Sequence, residues 1–539
     1  MPNRHDESRR RFLTSTGLLL GAAALPYALR NVHAAPALIT PDHARPQLAQ
    51  GIQIGDVRAD RAMIWSRSDR PARMFVEYDL DANFTNPVRV RGAYALEDTD
   101  YTARVDLVDL PQDRELFVRV QFQDLGNERV MSEAVTGRLH TAPRAARDIR
   151  FLWSGDTAGQ GWGINPDIGG MKIYEAMRQT RPDFFIHSGD TIYADGPIDE
   201  IKTAENGQTW RNIVIPEVTK VAETLNEYRG RYRYNLLDVN VRRFNAEVPQ
   251  IWQWDDHEVV NNWSDSKDLS ADARYTEKNI PLLIARGARA FLEYAPLRYH
   301  AMDESERVYR HVGYGELLDV FVLDMRSYRG PNSYNRQTQP GADTAFLGAT
   351  QIAWLKKKLK ESDAVWKVIA ADMPIGLQVG DGKDVQGRDR FENLANGDGP
   401  VLGREFEIAA LLNFIKREHI KNVVWLTADV HYCAAHFYDP NHAQFQDFDP
   451  FWEFVSGPLN AGSFGPNPLD NTFGPQAVFQ KAPPVQNLSP LAGLQFFGQV
   501  DIDADNAVMT VRLKDIAGTT VFTKELCPAE PDHDRTRRS

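Results

Sequence analysis

Four short apolar segments of the chain are each followed at once by carboxylate or imidazole side chains. These segments end near residues 154, 188, 254 and 427, and each has the length and composition of a buried strand. In an α/β sheet, the carboxyl ends of parallel strands line a common crevice. Carboxylates gathered there would repel one another unless cations lay between them. The pattern therefore predicts a hydrolytic metal centre with oxygen ligands and some His.

Six residues are predicted to bind the metal ions. Two ions that promote displacement at phosphorus need one carboxylate that bridges them. Asp190, which follows Gly189 at the end of an apolar strand, is predicted to be that bridge. Tyr193 lies one tight turn later, and a phenolate ligand favours trivalent iron over zinc. A lone Asp at such a place is usually a turn or helix-cap residue. The prediction therefore depends on the recurrence of acidic residues at the ends of several strands. The predicted ligands are Asp156, Asp190, Tyr193, Asp256, Asp429 and His431.

Two further residues are predicted to act on the reacting group. His257, beside Asp256, is placed to donate a proton to a leaving oxygen or to hold transition-state charge. Arg326 follows a buried strand and could bind phosphate oxygens through its guanidinium fork. A salt bridge from Arg326 to Asp324 or another carboxylate is the open alternative. A zinc-protease motif is excluded, because it needs a second His where the chain has Asn261.

Four more polar residues are predicted to lie around the ligands. Asn261 and Asn262 could bind a cation such as Ca²⁺ through amide oxygens or form a turn, and both interpretations stay open. His187 precedes Asp190 by three residues and is predicted to pack behind the ligands. Asp372 ends another apolar strand and is predicted to be a ligand or to face the substrate.

The overall composition is that of a soluble globular protein of 539 residues. Its formal net charge of -12 argues against nucleic acid as the main partner, because nucleic-acid-binding proteins usually carry a basic surface. A small anionic substrate stays compatible with this charge, since bound metal ions reverse the local field. The two cysteines, Cys433 and Cys527, are predicted to be thiols, with one bridge between them as the alternative.

Residues 1–34 are predicted to be an export signal. They contain a twin arginine, a modest apolar core and a small-residue cleavage site at Ala34, which together indicate the twin-arginine export machinery as a partner. A permanent N-terminal membrane anchor is the alternative, but the apolar core is short for a span of about 20 residues. The mature protein is therefore predicted to be periplasmic or secreted, without an integral anchor.

The rest of the chain divides into two predicted domains and a tail. Residues 48–142 contain short alternating segments separated by Asp, Asn and Gly, which predict a small all-β sandwich. Residues 146–528 alternate strand and helix patterns and predict an α/β domain that carries the site. Within it, residues 378–405 are predicted to form a loop at the rim of the site. Residues 529–539 are a polar tail.

Several of these segments resemble the PhoD-type alkaline phosphatases, within the calcineurin-like metallophosphoesterases. The matching segments are 187–193, 228–232, 254–263, 323–326 and 428–431, together with 54–67 near the N-terminus. The resemblance implies a four-layer αββα phosphoesterase domain preceded by a small immunoglobulin-like β-sandwich. It also implies twin-arginine export, hydrolysis of phosphate esters at alkaline pH, and a centre of Fe(III) with Ca²⁺. Asp190 would bridge the ions, and Tyr193, Asp256, Asp429 and His431 would complete the ligands.

One position departs from the family pattern. Family members commonly carry a cysteine that binds iron after the first strand of the catalytic domain, where this chain has Asp156. Loss of the thiolate makes Mn or Zn alternatives to iron. The expected activity is alkaline phosphatase, with phosphodiesterase or phospholipase D-like activity on the same site as one alternative. A non-catalytic metal-binding envelope protein is the alternative from another functional class.

Overall fold

Two large β-sheets form the centre of the structure. The computed structural model describes residues 41–264, 266–298 and 307–529. The predicted export signal and all but the first residue of the predicted tail lie outside these residues. From Pro46 onward the described chain forms one compact unit. Within the described ranges, no helix is long and apolar enough to cross a membrane.

The strands and helices alternate through the larger part of the chain. The strands are β1 (Ile52–Gly55), β2 (Ala62–Arg67), β3 (Ala72–Asp79), β4 (Val88–Ala95), β5 (Thr102–Leu107), β6 (Glu115–Asp124), β7 (Val135–His140), β8 (Ile149–Ser154), β9 (Phe184–Ser188), β10 (Ile201–Thr203), β11 (Thr209–Arg211), β12 (Gln250–Gln253), β13 (Arg310–Tyr314), β14 (Leu318–Val322), β15 (Trp366–Ala370), β16 (Gly380–Lys383), β17 (Asp389–Phe391), β18 (Val423–Thr427), β19 (Cys433–Tyr438), β20 (Phe451–Val455), β21 (Pro475–Lys481), β22 (Phe496–Ile502), β23 (Met509–Asp515) and β24 (Thr520–Leu526). The α-helices of the described residues are α1 (Lys172–Gln179), α2 (Leu225–Asn235), α3 (Val239–Glu247), α4 (Ile280–Tyr294), α5 (Ala349–Glu361) and α6 (Glu405–Arg417).

The all-β N-terminal segment divides between two sheets. Strands β4-β3-β6-β7 form a sheet of their own, whereas β1, β2 and β5 extend the first large sheet, whose order is β24-β23-β22-β8-β9-β12-β1-β2-β5. A shared apolar cluster joins the two groups of strands. Strands β1, β2 and β5 join the first large sheet through the parallel pairing of β1 with β12, in which Gly55 lies opposite Gln250. Local alternation could not indicate this long-range pairing, so the sequence pattern shows only the all-β character of the segment.

The second large sheet has the order β13-β14-β15-β18-β20-β19-β21. One apolar cluster contains residues of β8 and β9 together with residues of β14, β15 and β18, so the two large sheets pack against each other through it. A second cluster packs helices α1 to α4 with the first sheet. A third packs α5 and α6 with the second sheet. The structure is therefore a mixed α/β fold with two packed sheets.

Two helices bury apolar residues at helical spacing. In α1, Tyr174 and Met177 are buried, and in α6 the buried positions include Ile408, Leu411 and Ile415. These spacings of three and four residues place the apolar side chains on one side of each helix. Both helices connect parallel strands, since α1 lies between β8 and β9 and α6 lies between β15 and β18. The helices thus bring successive strand ends to the same edge.

The carboxyl ends of the parallel strands in the two sheets are joined by direct hydrogen bonds. Gln253, the last residue of β12, donates from its side chain to the carbonyls of Leu323 and Ala370, 3.2 and 2.8 Å away. The indole N–H of Trp153 on β8 donates to the carbonyl of Thr427, 3.2 Å away. These contacts hold both sets of strand ends at one edge, where the predicted site residues begin.

The two cysteines are free thiols. Cys433 is buried on β19 and Cys527 is exposed after β24. Burial raises the pKa of the Cys433 thiol. No metal-ligating group found among the described residues contains either cysteine, so thiolate ligation of the metal has no support in the structure.

Replacement of Glu405 by Gln is expected to make the protein's stability less dependent on pH. Glu405 is fully buried at the start of α6. Burial, with Asp470 nearby, raises its pKa from 4.5 to about 8 against a hydrogen bond from the Leu402 N–H. The folded state therefore holds a proton that the unfolded state releases, and stability falls as pH rises from 4.5 through 8. Urea titrations should show that wild type loses roughly 3–4 kcal/mol more than Glu405→Gln between pH 5 and pH 9. Identical pH profiles would contradict this assignment.

Candidate metal centre

The strand ends bring the predicted ligands into three overlapping groups. In each group, one ligand atom from each of three residues lies within 4.8 Å of the other two. The groups are Asp156, Asp190 and His431; Asp190, Asp256 and His257; and Asp255, Asp256 and Asp429. Asp190 belongs to two groups and Asp256 to two, so the three groups form one continuous acidic centre.

The backbone turns sharply at four of these residues. Asp156, Asp190, Asp429 and His431 have φ angles of 64°, 51°, 65° and 61°, in the left-handed region that non-glycine residues rarely adopt. Such conformations cost about 1–3 kcal/mol each and persist only where surrounding contacts hold them. Here they direct side chains from the ends of β8, β9 and β18 towards one another. The concentration of strained residues at one place is typical of a functional site.

The first group is arranged around His431. Its Nδ1 hydrogen-bonds to the carbonyl of Gly462, which leaves Nε2 as the lone-pair nitrogen. Nε2 lies 2.7 Å from the Tyr193 hydroxyl and 3.6 Å from Asp156 Oδ1. Both carboxylate oxygens of Asp156 are buried, with no hydrogen-bond partner among the described residues. Two carboxylates, an imidazole and a phenol therefore face one point, which suits a cation.

The charges of the centre also favour a bound cation. Burial, followed by the negative charge of neighbouring carboxylates such as Asp255, raises the pKa of Asp156, Asp190 and Asp429 well above the ordinary range. Burial and the neighbouring Asp190 likewise raise the pKa of Tyr193. A bound cation reverses both effects, because it stabilises the ionised carboxylates and the phenolate. The donor set thus fits metal ions.

The ring of Tyr193 is held between a glycine and an imidazole. A methyl group on Gly159 would lie 2.1 Å from the Tyr193 ring, so only glycine leaves room for this ring position. On another side, the Tyr193 and His257 rings are 4.2 Å apart and inclined by 31°. The loop after Asp156 therefore determines where the Tyr193 hydroxyl lies.

Replacement of Gly159 by Ala is expected to displace Tyr193 and weaken metal binding about 10–100-fold, the range for residues that support metal ligands. Gly196→Ala is the matched control, because a methyl group at Gly196 would meet no atom within 4 Å. Metal content after dialysis against graded chelator concentrations measures the effect. Equal metal retention by the two variants would show that Gly159 does not position Tyr193.

His257 is oriented by a carboxylate that the sequence did not single out. Its Nδ1 lies 2.7 Å from Asp195 Oδ1, and its Nε2 lies 3.9 Å from both Asp190 Oδ2 and Asp256 Oδ1. Burial lowers the pKa of His257, but Asp195 and Asp256 outweigh it and raise the pKa to about 10. In return, His257 and Arg326 outweigh burial and lower the pKa of Asp256 to about 2. Asp195 thus fixes the imidazole with its Nε2 towards the metal groups.

Glu258 is the second residue that sequence reasoning missed. Its carboxylate accepts hydrogen bonds from the backbone N–H groups of Asp190, Thr191 and Asp255, at 3.2, 2.6 and 2.8 Å. Burial and the nearby Asp255 raise the pKa of Glu258 to about 7, against these hydrogen bonds. The residue ties the turn after β9 to the turn after β12. Its place directly after Asp255, Asp256 and His257 in the sequence was the one indication of a role. Its contacts depend on the pairing of β9 with β12, which the sequence pattern does not show.

Arg326 is placed differently from the predicted phosphate contact. Its side chain has no exposure and forms ion pairs with Asp255, 2.5 Å away, and with Glu392. Asp372 lies 3.6 Å from its Nε. The salt-bridge alternative therefore describes the structure, with Asp255 as the partner in place of Asp324. The buried acids around the guanidinium have no water to solvate them. The positive charge of Arg326 therefore offsets their negative charge. Asp372 lies beside Arg326, and its role as a ligand or a substrate-facing group stays a prediction.

The remaining predicted residues lie at different distances from the centre. Asn262 donates its backbone N–H to Asp256 Oδ2, 2.5 Å away. Asn261 donates its N–H to Asp195 Oδ2, 2.9 Å away, and its side chain is exposed. His187 hydrogen-bonds to Thr157 at 2.8 Å in the core behind the strand ends. Asn262 thus contacts a predicted ligand directly, whereas His187 does not.

Residues 378–405 partly match the predicted rim loop. Strands β16 and β17 form a hairpin within this segment. Asp381 at its base accepts a hydrogen bond from the Asn262 side chain at 3.2 Å. Glu392, further along, is buried beside Arg326. The segment therefore contributes both a surface hairpin near Asn262 and a buried acid.

Comparison with known proteins places this arrangement in a family. The family model described as PhoD-like phosphatase matches residues 151–513, and that of the PhoD-like phosphatase N-terminal domain matches residues 33–143. The chain is 25% identical over 450 residues to alkaline phosphatase D of Bacillus subtilis (strain 168), covering 78% of this chain and 71% of that protein.

Two solved structures share the fold. One is a structure of PhoD, with a TM-score of 0.66 and 19% identity, covering 92% of this chain and 95% of the other. The second is a purple acid phosphatase from yellow lupin (Lupinus luteus) seeds, with a TM-score of 0.55 and 12% identity, covering 90% and 74%. The chain therefore shares its fold with these two phosphatases, and the match over residues 151–513 is decisive for the family. The chain belongs to the PhoD-like phosphatase family and is a phosphoesterase.

Proposed function

We propose that the protein is an exported alkaline phosphatase of the PhoD type, which hydrolyses phosphate esters at a centre of two kinds of metal site. The observation that carries the proposal is the position of Asp190, whose carboxylate belongs both to the group with Asp156 and His431 and to the group with Asp256 and His257. A carboxylate shared in this way suits a bridging ligand. The two packed sheets, with helices α1–α4 on one and α5–α6 on the other, support a four-layer αββα arrangement.

The two sites differ in the metal that their donors favour. Tyr193, His431 and two carboxylates suit Fe(III), since a phenolate binds a hard trivalent ion well. On the other side of Asp190, Asp256 is shared with the group that contains Asp255 and Asp429, so the second site offers mainly carboxylate oxygen atoms, which suits Ca²⁺. Asp156 in place of a thiolate makes Mn or Zn the alternative at the first site. When bound, such ions activate a water and offset the charge that develops on the phosphoryl oxygens.

The chain's own residues would supply positioning and proton transfer. His257 Nε2, close to both Asp190 and Asp256, would donate a proton to the leaving oxygen. Asp195 would hold the imidazole through Nδ1. Arg326 would act indirectly, because its ion pair with Asp255 offsets part of the acidic charge beneath the substrate.

Elemental analysis combined with a visible absorption spectrum tests the metal assignment. Protein purified from the periplasm or the culture medium should contain iron and calcium. Its spectrum should show a tyrosinate-to-iron charge-transfer band, and this band should disappear in Tyr193→Phe. Zinc or manganese without such a band would overturn the iron assignment. Absence of any bound metal together with absence of turnover would overturn the proposed function as a whole.

Phosphodiesterase or phospholipase D-like activity on the same site is the second candidate. It draws support from apolar residues near His431: Phe464 packs edge-on against the imidazole at 5.3 Å, and Val379 and Leu469 pack around a small cluster that includes Val430. Apolar groups there could contact the second ester group of a diester. Rates with p-nitrophenyl phosphate and bis(p-nitrophenyl) phosphate, compared at equal concentration, decide between the two activities.

Export through the twin-arginine pathway rests on residues 1–34 alone. Replacement of Arg9, Arg10 and Arg11 by Lys should retain the protein in the cytoplasm, since the receptor reads the arginine pair. Phosphatase activity in periplasmic or culture fractions provides the measurement. Unchanged export of the variant would contradict the use of the twin-arginine pathway.

A further inference from the structure

A small internal cavity lies next to the two turns that carry Asp156 and Asp190. Its volume is about 20 Å³. Thr157 and Thr191, which directly follow these two acids, are both part of its wall. The remaining wall is formed mainly by residues of the first sheet and of helices α1 to α4, among them Tyr174, His187 and Tyr232.

Three polar atoms of this wall have no hydrogen-bond partner among the described residues. They are Nδ1 of His187, Oγ1 of Thr191 and the hydroxyl oxygen of Tyr232. The three residues are 2%, 5% and 2% exposed, so bulk water does not reach them. A buried polar group left unpaired costs about 1–3 kcal/mol. Three such groups around one cavity therefore indicate a ligand that can hydrogen-bond to all of them.

The other polar side chains of the wall are already paired. Tyr174 and Thr157 hydrogen-bond to each other at 2.9 Å, and Asn235 donates to the Thr191 carbonyl at 2.6 Å. The Gln53 amide donates to the Tyr294 carbonyl at 2.9 Å. Unmet hydrogen-bonding capacity is therefore concentrated on the three atoms named above, and is not spread over the cavity.

We propose that this cavity binds one ordered water molecule through Tyr232, Thr191 and His187. A water needs at least about 10–15 Å³ and commonly makes about three hydrogen bonds when buried, which matches both the volume and the number of free atoms. A metal or ammonium cation fits poorly, because no carboxylate side chain contributes to the wall. An apolar ligand would leave the three polar atoms unpaired.

The water acts on the metal centre through Thr191. The N–H of Thr191 is held by Glu258 and its carbonyl by Asn235, so the hydroxyl is the one polar group of this residue that still needs a partner. With the water bound, every polar atom of Thr191 has a hydrogen-bond partner. Thr191 and Tyr232 are thus positioning residues for the left-handed turn at Asp190.

Two conservative variants and one matched control test the proposal. Thr191→Val removes the hydroxyl at nearly constant volume, and Tyr232→Phe removes only an oxygen atom. Tyr275→Phe is the control, because Tyr275 has a buried, unpaired hydroxyl outside the cavity wall. A crystal structure of the wild-type holoenzyme should contain a water within about 3.2 Å of Tyr232 and Thr191, and both variants should lack it while the control retains it. Metal affinity should fall about 10-fold in Thr191→Val and remain unchanged in Tyr275→Phe.

Oxygen-17 magnetic relaxation dispersion supplies a second, independent readout in solution. The wild type and Tyr275→Phe should each show one long-lived water more than Tyr232→Phe. An empty cavity in the wild-type crystal structure, or equal numbers of long-lived waters in all variants, would overturn the proposal. Neither result concerns turnover, so failure of the water site is distinguishable from failure of the proposed phosphatase function.

Discussion

Asp190→Asn is expected to lose bound metal and turnover together. The amide carries no negative charge, so it cannot bridge two cations as a carboxylate does. Changes in residues that only support ligands typically cost 10–100-fold, and loss of the bridge should exceed about 100-fold in kcat/KM for p-nitrophenyl phosphate. Elemental analysis of the purified variant and a steady-state assay at saturating added metal provide the measurements.

The expected loss follows from the position of Asp190 between the two groups of ligands. Its carboxylate is within 4.8 Å of ligand atoms from Asp156, His431, Asp256 and His257. The backbone N–H of His257 also donates to its Oδ1 at 3.2 Å, whereas Oδ2 has no partner among the described residues. An amide nitrogen at either position would repel a cation. Removal of this one charge therefore affects both metal sites, and not one alone.

Asp319→Asn is the matched control for Asp190→Asn. Asp319 is also a largely buried acid on a strand, but it pairs with His311 at 2.9 Å, and no metal-ligating group of the described residues includes it. It should retain full metal content, whatever its effect on stability. If Asp190→Asn retained metal and rate as Asp319→Asn does, Asp190 would not be the bridge and the whole ligand assignment would fail.

Much of the candidate site was predictable because its residues follow strand ends directly. Asp156, Asp190 and Asp429 each come within two residues of the end of a parallel strand. Once the order β8-β9-β12 and the order β14-β15-β18 are known, those ends lie along two sheet edges. The two edges meet because the sheets pack face to face. A local pattern was therefore enough to select these residues as candidate ligands, although it could not give the distances between them.

Residues that act through long-range contacts could not be recognised in the same way. Asp195 reaches His257 across 62 positions of sequence, and it lies in a loop with no strand pattern around it. Glu392 reaches Arg326 from a hairpin segment that sequence composition indicates only as a loop. For Arg326, residue type alone could not decide between a phosphate ligand and a buried ion pair. Its zero exposure and its contact with Asp255 favour the ion pair.

The N-terminal strands show the same limit at the level of the fold. The short alternating segments of residues 48–142 correctly indicate strands there, among them β2 and β5. Their membership of the nine-stranded sheet depends on the contact of Gly55 with Gln250, nearly two hundred residues away. A methyl group on Gly55 would lie 2.2 Å from the carbonyl oxygen of Pro296, so only glycine permits the close approach of β1 to the backbone at Pro296. The requirement for glycine at position 55 is apparent only when the position of the Pro296 backbone is known.

His257→Asn is expected to lower kcat by about 10²–10⁴, the usual contribution of a general acid, while metal content stays close to that of wild type. The loss should depend on the leaving group. An alkoxide needs a proton as it departs, whereas p-nitrophenolate is stable without one. We therefore expect a much larger loss with an alkyl phosphate than with p-nitrophenyl phosphate.

Asp195→Asn should show the same dependence on leaving group with a smaller loss. Its carboxylate fixes the imidazole through Nδ1 at 2.7 Å and favours the protonated form. An amide at that position can still hydrogen-bond to the ring, but it no longer supplies the negative charge. His311→Asn is the control, since His311 is a partly exposed imidazole that pairs with Asp319 away from the centre.

The pattern of losses separates the proposed roles of His257. If His257 is the proton donor, the two substrates diverge in His257→Asn and, less strongly, in Asp195→Asn, with metal retained in both. If His257 instead holds the metal as a ligand in the group with Asp190 and Asp256, metal content falls and both substrates lose rate equally. The close contact of the tilted His257 and Tyr193 rings, 4.2 Å apart, makes the spectrum informative as well. A retained tyrosinate band in His257→Asn, together with the divergence in rate, would assign proton donation to His257 independently of its contact with Tyr193.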